Sequence, residues 1–147
     1  MDRKRFIVIC DRKVKLVRAE FSYNQEKMAQ ALGLSKKTLV EIEKGRSSLG
    51  WTGSVALCAL FGESETIVGT FGGDPTDIIL ALAFEAGEHR QLAFPGSRIW
   101  WQTVEETSRG IIQQNILSQH YRLLDDTGTR IASSFDIDDL RALEGEE

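Results

Sequence analysis

The chain has 147 residues, with Lys or Arg at 18 positions, Asp or Glu at 22, and a formal net charge of −4. That length allows one domain or two small ones around a modest core. No apolar run approaches the roughly 18 residues of a membrane span, and Phe6-Ile7-Val8-Ile9-Cys10 is too short, and too soon followed by Asp11-Arg12-Lys13, for a secretory signal, so a cytoplasmic protein is expected.

The charge is unevenly divided. Residues 1–62 hold twelve Lys or Arg against six acids, a balance of +6, whereas residues 63–147 hold six Arg, no Lys and sixteen acids, a balance of −10. A basic half suited to phosphates and an acidic half unsuited to them is the implied division. Cys10 and Cys58 lie far apart in sequence, without metal-ligand spacing and within apolar helical patterns, which reads as buried, reduced thiols.

In chain order, Cys10, Val14, Val17 and Phe21 recur every three or four residues and draw an apolar stripe down a first helix that ends at Ser22-Tyr23-Asn24. Asn24 caps a second helix, Gln25 to Leu32, with Glu26 in its first turn and Met28, Ala29 and Leu32 inward, and Gly33 stops it. Ser35 caps a third, Lys36 to about Lys44, with Leu39 and Ile42 inward and Gly45 as its stop. A fourth helix is predicted over 52–61 and a fifth from Ser64 to about Phe71, closed by Gly72-Gly73. Asp74-Pro75 opens a sixth, over 75–86, in the order cap then proline; Ile78 to Phe84 are nearly all apolar, so it should be mostly buried.

Ala86 to Ser97 turns polar and carries Gly87, Pro95 and Gly96, which reads as a linker. The period then changes. Ile99 to Val104, Ile111 to Ile116, Tyr121 to Leu124 and Arg130 to Ser133 are short β-rich runs separated by turn residues, the spacing of an antiparallel meander, and Ile137 to Leu143 reads as a last helix. The fold class is therefore α+β, with a helical domain at 1–86 (core 14–72 and an extra helix at 75–86) and a small β-rich module at 98–147.

Two short helices joined by one glycine turn suit major-groove reading: the first braces across the backbone and the second presents its N-terminal side chains to base edges. Lys36 and Lys37 stand in the first turn of the third helix, where the positive end of the macrodipole disfavours cations by about 0.3–1 kcal/mol each. A polyanion at that end reverses the sign of the penalty. Lys37, Val40 and Glu41 lie opposite Leu39 and Ile42 and so face outward. Lysine can donate to guanine O6 and N7, and glutamate can accept from cytosine N4.

The segment from Gln25 to Arg46, Q-E-K-M-A-Q-A-L-G-L-S-K-K-T-L-V-E-I-E-K-G-R, resembles the helix-turn-helix of the Cro/C1 (XRE) family of transcriptional regulators, and the resemblance extends more weakly from Val14 to about Gly72. It implies a lambda-repressor-like domain of five to six helices. It also implies that Asn24, Gln25 and Ser35 contact phosphates, that Lys36, Lys37, Thr38 and Glu41 face base edges, and that Lys44 and Arg46 hold the DNA backbone. Arg18 and Glu43 occupy the places of a family ion pair. One departure is Trp51, which stands where the family often has a proline and leaves the path after Arg46 open; it either packs against the fourth helix or joins a dimer surface.

In the second module, Trp100-Trp101 should place two indoles on opposite sheet faces, at least one in the core and the other able to face a partner. Gln113-Gln114-Asn115 and His120-Tyr121-Arg122 offer polar groups on neighbouring strands that line a pocket or a solvated face. Asp136, Asp138 and Asp139 are explained by capping. With His89 and His120 as the only histidines, and no nucleophile motif, phosphate-binding glycine loop or metal spacing, no enzyme, cofactor or metal is expected. The expected function is a sequence-specific double-stranded-DNA-binding regulator, a homodimeric repressor reading a pseudo-palindromic operator. Its rivals are an antitoxin-like autoregulator whose acidic module binds a protein, and a sensor whose β-module binds a small ligand.

Overall fold

A computed structural model describes residues 1–85 and 100–145. The chain divides into two compact units, 1–90 and 91–147. The expected linker with His89, the start of the first strand at Ile99 and the acidic pair Glu146-Glu147 lie outside the described residues.

The architecture is α+β. The first unit contains α1 (Arg3–Glu20), α2 (Gln25–Leu32), α3 (Lys36–Glu43), α4 (Gly50–Phe61), α5 (Glu65–Phe71) and α6 (Thr76–Ala83). Asp2 caps α1, whose side chain accepts from the Arg5 N–H, so the helix starts well before the stripe that betrays it. Phe6, Cys10, Val14 and Val17 form its buried face and pack with Met28, Leu39, Ile42, Leu57 and Ile67. Each large member of that set contributes about 1.5–3 kcal/mol by leaving water. Phe21, expected to extend the stripe, is the C-terminal cap and is 40 % exposed, held by ring contacts with Tyr23 and Phe61.

α4 starts at Gly50, two residues earlier than the sequence suggests, and Trp51 lies in its first turn, packed on Phe6 with ring centroids 5.7 Å apart. The buried face of α4 is Ser54, Leu57, Cys58 and Phe61, while Leu60 is exposed. The Cys10 thiol meets Cys58 and Ser54 where α1 crosses α4; the neighbouring thiol and burial together push its ionisation up, and both cysteines are free.

α6 corrects an expectation. None of its residues is buried: Ile78, Ile79 and Leu82 pack against the core but stay half-buried, and Thr76, Asp77 and Ala81 are exposed. Arg3 secures its far end. The guanidinium donates from Nε to the Leu82 carbonyl at 3.0 Å and from Nη2 to the Ala83 carbonyl at 3.4 Å, while its carbon lies 4.4 Å from the Trp51 ring centroid.

The second unit is a four-stranded antiparallel meander in the order β1 (Trp101–Thr107), β2 (Gly110–Asn115), β3 (Tyr121–Leu124) and β4 (Arg130–Ser134), followed by α7 (Ile137–Ala142) and a 3₁₀ turn at Leu143–Gly145. Register places Ile112, Leu123 and Ala132 on one face, which α7 covers with Ile137 and Leu140. A bulge between Thr103 and Glu105 sets Glu105 opposite Ile112, on the α7 face, where its carboxylate pairs with Arg141 at 2.8 Å. Gly110 is required at the β1–β2 turn: its φ is +146°, and a Cβ there would lie 1.8 Å from the Leu124 carbonyl oxygen. Neither tryptophan of the pair joins this core. Trp101 is half-buried on the face away from α7, and Trp100 precedes β1 and is 46 % exposed. Asp136 caps α7 as expected, accepting from the Asp138 N–H. Among the described residues no helix is long and apolar enough to cross a membrane.

The short helix α5 depends on a carboxylate from α1. Glu20 accepts from the backbone N–H groups of Thr66 and Glu65 at 2.9 and 3.1 Å and from the Thr66 hydroxyl at 2.8 Å, and these bonds, the Thr66 backbone bond foremost, hold its carboxyl below the ordinary glutamate value. A depressed carboxyl stabilises the fold at pH above that ordinary value, and the contribution is lost as pH falls through the depressed one. Glu20→Gln should therefore lower the melting temperature at neutral pH and by less at acid pH, the gap from the wild type narrowing as pH falls below the ordinary glutamate value. A gap of equal size at both pH values would contradict the tie.

Candidate nucleic-acid interface

Each end of the α2–α3 pair is fixed by local hydrogen bonds. The side chain of Asn24 accepts from the Lys27 N–H at 2.8 Å and starts α2. At its close, Gly33 N–H donates to the Gln30 carbonyl and Leu34 N–H to the Ala29 carbonyl, the doubled bond of a Schellman motif, with Gly33 at φ +73° where an L side chain is disfavoured. Ser35 then starts α3, its hydroxyl accepting from the Thr38 N–H at 3.1 Å and lying 2.8 Å from the Thr38 hydroxyl. The same motif ends α3, with Gly45 N–H on the Ile42 carbonyl and Arg46 N–H on the Glu41 carbonyl. Four consecutive helix ends are thus set within about two dozen residues by residue types visible in the sequence.

The inner face of α3 is Leu39 and Ile42. Lys36 and Lys37 are exposed at its first turn, which holds no acid; Thr38, Val40 and Glu41 are half-buried beside them, and Lys44 and Arg46 are exposed beyond its end. Neither Lys36 nor Lys37 is paired with a carboxylate among the described residues. Arg46 reaches Glu41 at 4.0 Å, but the arginine is 67 % exposed, so this contact is worth little in water. Asn24 and Ser35 spend an oxygen on capping and sit exposed at the two helix starts.

Arg18 and Glu43 meet deep between helices. Arg18 Nε donates to Glu43 Oε1 at 2.7 Å, and Nη1 donates to the Tyr23 carbonyl at 3.0 Å. The Glu43 side chain is only 4 % exposed. Its other oxygen, Oε2, accepts from Gln25 Nε2 at 2.6 Å, a role for Gln25 that spacing alone does not suggest. Arg3 is a second surprise: counted among the basic residues of the N-terminal half, it is committed to the end of α6. Its position over the Trp51 ring follows from the fold and leaves no mark in the sequence spacing.

A buried carboxylate that loses its cation keeps its desolvation cost, so Arg18→Met should destabilise the chain by about 3–5 kcal/mol. Adding Glu43→Leu should recover most of that loss, because the stranded charge goes too. Urea unfolding of both variants measures this; a double variant no more stable than the single one would show that the pair is not the source of the loss.

No family model, curated protein or solved structure matches this chain.

Proposed function

We propose that the chain is a sequence-specific, double-stranded-DNA-binding transcriptional regulator of the Cro/C1 type, acting as a dimeric repressor with α3 in the major groove. The observation that carries the reading is the state of the α3 N-terminus. Two exposed lysines stand where the helix dipole opposes them, with no carboxylate partner among the described residues, beside the capped start of α2. An anion supplied from outside relieves that opposition, and DNA phosphate is such an anion.

The rest of the surface suits the division of labour. Lys37 and Glu41 project from α3 as donor and acceptor for base edges; Asn24, Gln25 and Ser35 stand at helix starts beside phosphates; Lys44 and Arg46 flank the backbone. One small domain buries little area on DNA, and a two-fold pair doubles it. Leu60 and Val68, exposed on α4 and α5, supply apolar surface for such a pair.

Selection of bound sites from a random duplex pool at a fixed salt concentration tests this. The wild type should enrich a palindromic consensus with half-sites about one helical turn apart. Lys37→Ala with Glu41→Ala should blur that consensus, whereas Lys44→Ala should weaken all sites evenly and reduce the salt slope by about 1. No enrichment by the wild type at low salt, or a strict monomer on DNA by sedimentation, would overturn the reading.

A further inference from the structure

The second unit has two unlike sheet faces. α7 covers the one bearing Ile112 and Leu123 and not the other, where Leu124 is buried at one end and Trp101, Gln113 and Arg122 are half-buried. Register places Trp101, Gln113 and Arg122 together on that second face, and His120 and Phe135 continue it beyond the ends of β3 and β4.

These side chains are organised around one guanidinium. Arg122 crosses β2 to lie with its carbon 3.8 Å from the Trp101 ring centroid, and it donates from Nε and Nη2 to Gln113 Oε1 at 3.1 and 2.8 Å. Gln113 is itself held, its amide nitrogen donating to the Thr103 hydroxyl at 3.4 Å. His120 stands edge-on to Trp101, with centroids 4.9 Å apart, and leads to Phe135, which is 78 % exposed. The Ser118 hydroxyl fixes the imidazole through Nδ1.

What the arrangement lacks is a carboxylate. The described residues of this unit hold eight acids against four arginines, yet none of those acids pairs with Arg122. Glu105 is turned to the α7 face by the bulge, Asp136, Asp138, Asp139 and Glu144 belong to α7 and its flanks, and Asp125 and Asp126 form the β3–β4 turn. Glu106, opposite Ile111, lies five residues along β1 from Trp101 and forms no pair with Arg122. Burial foremost, and then the neighbouring positive charge of Arg130, hold the Arg122 guanidinium below the ordinary arginine value. A stacked, pre-oriented, partly desolvated guanidinium with a like charge beside it and its Nη1 donors unused among the described residues is complementary to an oxyanion.

We propose that this second face is a binding site for a small aromatic anion, whose carboxylate or phosphate group pairs with Arg122 while its ring rests on the His120–Phe135 shelf beside Trp101. The neutral Gln113 is the right support for such a site. A glutamate in its place would neutralise the guanidinium permanently, whereas the amide oxygen orients it and leaves the charge for the ligand.

The test uses the full chain, isotope-labelled, and reads the Arg122 Nε–H and Trp101 indole N–H resonances during titration with benzoate and with phenylphosphonate, which distinguish the two anionic groups. Benzyl alcohol supplies a ring without charge, acetate a charge without a ring, and a random-sequence DNA duplex a polymeric phosphate. Saturable shifts with either aromatic anion, weakened roughly tenfold or more by Arg122→Gln and absent with benzyl alcohol, are expected. Phe135→Ala, at an exposed position that folding does not need, should weaken the aromatic anions several-fold and leave acetate unchanged; it decides the matter alone if Arg122→Gln fails to keep the Ile112 and Leu123 amide signals. Shifts that do not saturate, that survive Arg122→Gln in a folded chain, that ignore Phe135→Ala, or that the duplex produces more strongly than the aromatic anions would overturn the proposal. None of these readings depends on whether α3 binds DNA.

Discussion

The carboxylate of Glu43 is almost fully removed from water and needs donors on both oxygens, and the chain supplies them from two other helices, Arg18 of α1 and Gln25 of α2. Three helices are thereby referred to one atom group at the end of α3. A carboxylate at a helix C-terminus opposes the macrodipole, so the interaction does not serve α3 by itself. What it does is fix direction: an apolar contact of Leu39 and Ile42 tolerates rotation of a short helix, whereas two charge-assisted hydrogen bonds at 2.6 and 2.7 Å do not.

α3 therefore carries charges of the wrong sign at both ends. The two ends are treated differently. At the C-terminal end the chain answers Glu43 internally. At the N-terminal end it leaves Lys36 and Lys37 without a carboxylate among the described residues. A similar contrast divides the arginines. Arg3 and Arg18 are consumed by helix ends and a buried acid, and Arg141 by Glu105 and Asp138, while Arg122 has a neutral amide and an indole for company. The net charge of each half therefore says less than which cations are already spoken for.

Local chemistry made much of this legible in the sequence. Asn24, Gly33, Ser35, Ser64 and Asp136 each announce a helix end through a single residue type, and the structure places those ends within a residue of the expectation. The strands were readable for the same reason: turn residues punctuate them at short intervals. What failed depended on how much surface a neighbour has to offer. α6 is apolar enough to be a core helix but none of its residues is buried, and Trp101 is large enough for a core but lies on the side of the sheet that α7 does not occupy. The Gln25 contact to Glu43 and the Arg122 contact to Gln113 join residues 18 and 9 positions apart, distances at which spacing carries no information until the fold is known.

The crossing of α1 and α4 is filled with small groups, Cys10, Ser54 and Cys58, and the Ser54 hydroxyl both donates to the Gly50 carbonyl at 2.7 Å and meets the Cys10 thiol. Such a joint has no slack: an added methylene must be absorbed by moving a helix, because the surrounding core is already filled. α1 is also the helix that carries Arg18. Displacing it drags the guanidinium that steers Glu43, so volume at this joint is mechanically coupled to the bearing of α3, and a substitution touching no surface residue acts as a lever on the helix that bears Lys36 and Lys37.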